Sequence, residues 1–371
     1  MDGHGSARQP TGTELPHRRP DLFFDKRHTS SAAASGWLAP SRLWVNVCAV
    51  RARLLAEFQL SSQTSMEWTG TGWLNTDAEA GLLRSFDTRL RPCCQIPVPD
   101  LDGDVHASAA SDGSRFALVG VDGVTVINEA GRPLWHRPER IAAPYQRRQP
   151  SGHFDSQGRL WAYLPGRDDE LAVLDPVDGS LIARTRLDTY QGAATFLNHP
   201  DGWHIGVTVA MGQDGTTSFW ARLDGDRIHL RSVSGEILAD IASTGDWYID
   251  LPHRGDQIAV RDVADGTARI SCFARDVPRF VHPVGYILNS AATLVTDEYL
   301  LVGVEPDDCD GDEQHLLLAT DTLTHLATID YPQPMFLNSI THAGGNGRWL
   351  THNWTTGTSQ LWSLPATNTA R

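Results

Sequence analysis

The chain has 371 residues, of which 40% are hydrophobic and 20% are charged, and its formal net charge at pH 7 is -14. This is the composition of a globular protein with a sizeable core. The charge argues against a nucleic-acid partner, because a phosphate-binding surface needs clustered Lys and Arg, and here 45 acidic residues outnumber 31 basic ones.

The first forty residues, 1–40, are rich in Gly, Pro, Ser, Thr and Ala. Such a composition buries little apolar surface, so it predicts a disordered arm followed by a single domain over 41–371. The arm lacks the apolar run of a signal peptide, and eighteen apolar residues never occur together. We therefore expect a cytoplasmic protein that has no membrane partner, and we also expect a monomer.

A turn followed by an alternating apolar strand recurs along the rest of the chain, as in Asp112-Gly-Ser-Arg-Phe-Ala-Leu-Val. The turn positions of the successive copies are Gly72, Gly113, Gly158, Gly202, Gly255, Glu298 and Gly347. Their successive differences are 41, 45, 44, 53, 43 and 49. That interval is the length of one four-stranded propeller blade.

A second pattern, a strand followed by a polar turn and another strand, alternates with the first, as in Leu171-Ala-Val-Leu-Asp-Pro-Val-Asp-Gly-Ser-Leu-Ile. Apolar residues recur with period two throughout, and no long helical period interrupts them. A β-sandwich with regular hairpins is the alternative, but it does not require paired motifs at a fixed interval. The sequence predicts an all-β, seven-bladed β-propeller with four-stranded antiparallel blades.

The last predicted blade contains only three strands, because Ser359-Gln-Leu-Trp-Ser-Leu is followed by just seven residues. A propeller can close its ring with a strand from the other end of the chain. The best candidate is Arg42-Leu-Trp-Val-Asn-Val-Cys-Ala-Val50. We therefore expect an N-terminal strand at 42–50 to form the outer strand of the last blade.

Two short motifs carry a resemblance to a known family. Pro200-Asp-Gly lies at a turn between the first two strands of a blade, and Val173-Leu-Asp175 precedes the turn between the last two. With the repeat, they resemble the WD-repeat and WD-like bacterial β-propellers over roughly residues 66–364. The chain departs from that family in having no Trp-Asp dipeptide at these strand ends. The resemblance implies a platform that binds other molecules.

Two polar clusters are interpreted as turns and not as metal sites. His199, Asp201 and His204 could form a zinc set, but Asp201 occupies the turn position that Asp112 has in another repeat. The acidic stretch 305–313 lacks the spacing of an EF-hand loop, and we interpret it as a solvated loop. We expect neither a bound metal nor a cofactor. The adjacent Cys93 and Cys94 are interpreted as strand residues, with a redox pair as the alternative.

Five residues are candidates for ligand binding. His153, Asp250 and His342 each lie five positions before a turn of the repeat, which predicts that they share an inner-strand position around the central channel. Gln213 and Asp214 lie in a predicted hairpin between the second and third strands of a blade, on the face where propellers commonly bind ligands.

A non-catalytic scaffold that binds a protein or peptide partner is the function that we expect. Gly-x-Ser-x-Gly, His-Glu-x-x-His and phosphate-binding glycine patterns are absent from the sequence. The aromatic candidates for an exposed partner contact are Trp220, Trp354 and Trp362, but for each of them taken alone we expect packing between blades. The alternative function is a propeller hydrolase or lactonase with a divalent metal in the central channel.

Overall fold

The computed structural model describes residues 49–61, 64–98, 105–139, 149–233, 237–251, 257–273, 285–306, 314–332, 339–345, 347–353 and 355–365. These residues form strands and turns, together with one 3₁₀ turn at Gly212–Asp214. Within them, no helix is long and apolar enough to cross a membrane. The predicted arm at 1–40 and most of the acidic stretch 305–313 lie outside the described residues.

Seven sheets form the seven predicted blades, with strands A to D numbered from the inside of the ring outwards. Two N-terminal strands, β1 (Ala49–Arg51) and β2 (Arg53–Gln59), precede the first complete blade. In blades 1 to 3, strands A to D are β3 (Ser65–Trp68), β4 (Gly72–Asp77), β5 (Leu82–Asp87) and β6 (Pro92–Pro97); β7 (His106–Ala109), β8 (Arg115–Gly120), β9 (Gly123–Asn128) and β10 (Pro133–Pro138); and β11 (Ser151–Phe154), β12 (Leu160–Leu164), β13 (Glu170–Leu174) and β14 (Leu181–Arg186).

Blades 4 to 7 follow the same plan. Their strands, again from A outwards, are β15 (Ala193–Asn198), β16 (His204–Ala210), β17 (Thr216–Asp224) and β18 (Arg227–Ser232); β19 (Ile237–Ile241), β20 (Trp247–Leu251), β21 (Gln257–Asp262) and β22 (Ala268–Phe273); β23 (Gly285–Thr296), β24 (Tyr299–Pro306), β25 (Gln314–Ala319) and β26 (His325–Asp330); and β27 (Ser339–Gly345), β28 (Arg348–Asn353) and β29 (Thr358–Ser363). The A strands of neighbouring blades lie side by side, and β27 meets β3 to complete the ring.

The strand order defines two faces of the ring. Because neighbouring strands in a blade are antiparallel, the A–B and C–D hairpins lie on one face, here called the lower face. The B–C hairpins and the connections from strand D to the next strand A lie on the other, the upper face. Loops on the same face contact each other between blades: the His199 ring, in an A–B hairpin, lies 2.9 Å from the carbonyl oxygen of Gly245 in the next one.

An N-terminal strand closes the last blade, as predicted, but a different segment provides it. β2 pairs antiparallel with β29 from Arg53↔Ser363 to Gln59↔Thr358, so it is strand D of blade 7. The predicted donor 42–50 is wrong, because its described end belongs to β1, which pairs parallel with β26. β1 thereby gives blade 6 a fifth strand. Both segments have strand-forming sequences, and only the chain path around the ring decides which one reaches blade 7.

One turn of the repeat was assigned to the wrong hairpin. The A–B turn of blade 5 contains Gly245, whereas Gly255 lies between strands B and C. With this correction the turn glycines Gly113, Gly158, Gly202 and Gly245 are 45, 44 and 43 residues apart. The 53-residue interval of the repeat therefore separates the A–B turns of blades 5 and 6 and not those of blades 4 and 5.

The hydrophobic core is divided among the seven blade interfaces. The described residues form seven buried apolar clusters, and each one joins two neighbouring blades. Trp220 lies in the cluster between blades 4 and 5, and Trp362 in the one between blades 6 and 7. Both indoles are buried, as expected for each of them alone, and neither is an exposed aromatic residue available to a partner. Trp354 lies outside the described residues.

The adjacent cysteines lie in a strand, which agrees with their interpretation as strand residues. Cys93 and Cys94 both belong to β6 and are free thiols, with Cys93 exposed on the outer strand of blade 1.

Candidate functional site

The three predicted inner-strand residues do not share one position. His153 lies in β11 and His342 in β27, both of which are A strands, as predicted. The side chain of His342 lies outside the described part of the structure. Asp250 instead lies in β20, strand B of blade 5, because the turn used to place it is the B–C hairpin. Its Oδ2 is 2.7 Å from Nε of Arg261 in strand C, and this partly buried ion pair joins two strands of one blade.

With the corrected register, Asp240 takes the place that was assigned to Asp250. It lies five positions before Gly245 in β19. Its Oδ2 accepts hydrogen bonds from the Thr293 hydroxyl at 2.9 Å and from the Leu294 N–H at 2.8 Å, both in β23 of blade 6. Burial raises the pKa of Asp240 above its ordinary value, although these hydrogen bonds oppose the rise. The carboxylate thus joins the inner strands of two blades.

His153 makes the corresponding link between blades 3 and 4. Its ring stacks on Phe196 of β15 with centroids 5.6 Å apart, and it hydrogen-bonds Asn198. Burial lowers the pKa of His153 to about 4, so the imidazole is neutral at pH 7. Its Nε2 has no hydrogen-bond partner among the described residues. The structure places His153 and Asp240 at blade interfaces, and the predicted ligand-binding role of His153 stays a prediction.

The upper-face pair Gln213 and Asp214 lies where the sequence predicts, in the B–C hairpin of blade 4. Both residues are exposed in the 3₁₀ turn that joins β16 to β17. Asp214 accepts a hydrogen bond from Tyr190, which raises the pKa of the tyrosine above its ordinary value. Tyr190 belongs to the connection from blade 3 to blade 4, and 49% of its surface is exposed.

A buried carboxylate holds this connection, residues 187–192, which we call the Tyr190 loop. Asp169, in the B–C hairpin of blade 3, is 0% exposed. Its Oδ1 accepts the backbone N–H groups of Gly166 at 2.9 Å and Gln191 at 2.8 Å. Its Oδ2 accepts the hydroxyls of Tyr163 at 2.6 Å and Thr189 at 2.9 Å. One side chain therefore satisfies four donors and fastens the loop to the neighbouring hairpin.

The backbone of the Tyr190 loop carries a second sign of constraint. Gln191 has a φ of 53°, a left-handed conformation that costs a non-glycine residue free energy and persists only where its surroundings hold it. The hydrogen bond from its N–H to Asp169 provides that hold. Neither Tyr190 nor Asp169 is among the residues predicted from the sequence, and the signal that could have identified them is Asp168-Asp169 at a B–C hairpin, facing a loop with an aromatic residue.

On the lower face, the structure brings together His199, Asp201 and His204. They are the one group of three metal-ligand side chains with converging ligand atoms within the described residues. The group lies on the A–B hairpin of blade 4, at the lower-face end of β15.

Comparison with known proteins supports the fold. No family model matches the chain, and no curated protein matches it in sequence. The β-propeller domain of Cps50 (Swd1) from Myceliophteria thermophila is similar in structure, with a TM-score of 0.57 at 10% identity, covering 85% of this chain and 100% of that one. BamB from Moraxella catarrhalis has a TM-score of 0.49 at 12% identity, covering 84% and 100%. The first likeness shows the β-propeller fold alone.

Proposed function

We propose that this propeller binds a protein or peptide partner on its upper face, at the Tyr190 loop and the adjoining Gln213 and Asp214. One observation carries the proposal: a half-exposed tyrosine stands on a loop that is held in place from below by a buried carboxylate. Fold alone does not establish a function, so we base the proposal on this loop.

Tyrosine suits this role because it offers a large contact area with only two rotatable side-chain bonds. Binding a partner then orders few additional groups, and the entropic cost is low. The hydrogen bond to Asp214 orients the ring further. Aromatic residues with these properties are enriched among the residues that dominate binding energy at protein interfaces.

The charges around Tyr190 describe the partner. Asp188 and Asp214 are exposed beside it, and Gln213 adds a side-chain amide. The whole chain is acidic, with a net charge of -14. Complementary charge speeds association and rejects wrong partners, so we propose a partner segment that is basic and contains an apolar side chain for the tyrosine ring.

Site-specific photo-crosslinking tests the proposal. Tyr190 is replaced by the photoreactive amino acid p-benzoylphenylalanine, which preserves an aromatic ring, and the protein is irradiated in an extract of its source cells. The same amino acid at Val177 is the control, because Val177 is 66% exposed on the lower face of the neighbouring blade. We expect a crosslinked product of defined mass from position 190 and none from position 177.

Competition completes the test. An excess of unlabelled wild-type protein should abolish the product, whereas an excess of the Tyr190→Ala protein should not. Equal products from positions 190 and 177, or equal competition by the two unlabelled proteins, would show that Tyr190 does not form the binding surface.

A further inference from the structure

Three side chains of the types that bind zinc lie on one hairpin of the lower face. His199, Asp201 and His204 each offer one ligand atom, and these atoms lie within 4.8 Å of one another. Nδ1 of His204 is 2.6 Å from Oδ2 of Asp201, and Nδ1 of His199 is 3.0 Å from Oδ1. In a tetrahedral site with zinc–ligand bonds of about 2.0–2.1 Å, neighbouring ligand atoms are roughly 3.3 Å apart. Binding an ion would therefore draw in atoms that are up to 4.8 Å apart and would lengthen the 2.6 Å contact between His204 and Asp201.

The hairpin itself does not need the two histidines. In blade 2 the same backbone hydrogen bonds close the A–B hairpin, and Oδ1 of Asp112 caps the turn at 2.9 Å as Oδ1 of Asp201 does at 2.8 Å. Ala110 and Arg115 stand there in place of His199 and His204. Turn formation therefore explains the aspartate and requires neither histidine, although His199 also joins the hairpin to Gly245 of blade 5.

His199 is oriented in the way that metal-binding histidines usually are. Its Nε2 is 2.9 Å from the carbonyl oxygen of Gly245, which can only accept, so Nε2 carries the proton and donates it. In the neutral ring, Nδ1 then has the lone pair. Histidine ligands commonly donate their second N–H to a carbonyl or carboxylate, which fixes the tautomer and the ring. The lone pair of His199 faces the Asp201 carboxylate, and its present partner is the backbone N–H of Asp201 at 3.1 Å.

The two oxygens of Asp201 have separate roles. Oδ1 accepts the N–H groups of Trp203 and His204 and so shapes the turn, while Oδ2 lies 2.6 Å from Nδ1 of the His204 ring. Burial alone would raise the pKa of Asp201, but these hydrogen bonds hold it well below its usual range. The carboxylate is thus ionised at neutral pH, and the His204 side chain, 37% exposed, leaves the group open to solvent.

We propose that His199, Asp201 and His204 bind one Zn²⁺ ion through the two Nδ1 atoms and Oδ2 of Asp201. Imidazole with a single carboxylate favours zinc over Mg²⁺ or Ca²⁺, which prefer oxygen ligands. Three protein ligands leave the fourth tetrahedral position for water, or for an imidazole or carboxylate of another molecule. The site lies on the opposite face from the Tyr190 loop, so it is independent of the proposed partner surface.

Calorimetric titration of the untagged full chain with Zn²⁺ at neutral pH tests the proposal. The variants are His204→Ala, and Asp201→Asn, in which the amide oxygen can still cap the turn. The matched control is His229→Ala in the same blade, since His229 is a 58% exposed histidine 3.8 Å from Asp224, and the described residues form no group of three ligands around it. Histidines elsewhere in the chain are present in all four proteins, so the comparison isolates this site.

Wild-type protein and His229→Ala should each bind one equivalent of Zn²⁺ at this site. In both hairpin variants, zinc binding at the site should be lost or at least about tenfold weaker. Removing a residue that hydrogen-bonds a metal ligand lowers metal affinity by about 10–100-fold, and removing a direct ligand should lower it by at least as much. Melting curves without zinc establish that each variant is folded. Equal zinc binding by wild type and folded His204→Ala would overturn the proposal, as would full competition by millimolar Mg²⁺.

Discussion

Asp169 should be among the most sensitive positions for the stability of the upper face. Replacing it with alanine removes the acceptor of four hydrogen bonds in a site with no exposed surface. Each buried donor left without a partner costs about 1–3 kcal/mol, although relaxation of the loop will recover part of this. We expect Asp169→Ala to lower the free energy of unfolding by about 3–6 kcal/mol, a large share of the total for a typical domain.

Replacing Asp169 with asparagine should have a smaller effect on stability than replacing it with alanine. Its amide oxygen can still accept the N–H groups of Gly166 and Gln191, but its NH₂ group then faces two hydroxyls that must turn their own protons away. We expect Asp169→Asn to cost about 1–2 kcal/mol. With an unfolding entropy of about 2.1 cal/mol/K per residue, the melting temperature should fall by about 1–3 °C for asparagine and about 4–9 °C for alanine.

Differential scanning calorimetry measures these shifts, and amide hydrogen exchange at Gln191 locates them. The control is Asp188→Ala, which removes an exposed carboxylate from the same loop and should change stability by less than about 0.5 kcal/mol. The reasoning is refuted if Asp169→Ala and Asp188→Ala melt alike, or if exchange at Gln191 is the same in both.

Three further predictions concern ring closure and pH. Deletion of residues 1–36 should leave the melting temperature nearly unchanged, whereas deletion of 1–60 removes β2 and should abolish cooperative melting; similar calorimetric curves would contradict this. Phe58→Ala removes an edge-to-face contact to Phe86 of blade 1, with centroids 4.7 Å apart, and should cost about 1–3 kcal/mol in urea unfolding because the ring is only partly buried. Because the folded pKa of His153, about 4, lies below the unfolded value of 6.5, wild type should lose about 2–3 kcal/mol as pH falls from 6.5 towards 4. His153→Gln should lose correspondingly less in urea titrations across that range, and equal losses would count against burial as the cause.

The fold was predictable from sequence because the repeat has a local physical cause. Each hairpin needs a turn residue with the right backbone freedom, and each strand needs alternating apolar residues, so both recur once per blade. The same locality explains the error at Gly255. A B–C hairpin and an A–B hairpin have the same local chemistry, and only pairing between strands distinguishes them.

The candidate site was less predictable because its parts meet across blades. Gln213 and Asp214 were found from their hairpin, but Tyr190 is brought to them by the ring and Asp169 acts from the blade before. The hairpin of His199 was correctly interpreted as a turn. The proton arrangement that leaves the lone pair on its Nδ1 depends on a carbonyl 46 residues away, which no local pattern reveals.

The closing strand gives the protein a particular order of assembly during synthesis. β2 leaves the ribosome early, but its partner β29 begins at Thr358, about 300 residues later. At about 5–20 residues per second, β2 waits roughly 15–60 s with its pairing edge unsatisfied. An edge of this kind can pair with the equivalent strand of another chain, which would join two nascent rings by exchange. Slow translation and high local concentration of nascent chains should therefore increase the fraction of exchanged dimers, although the finished ring has no need of a second copy.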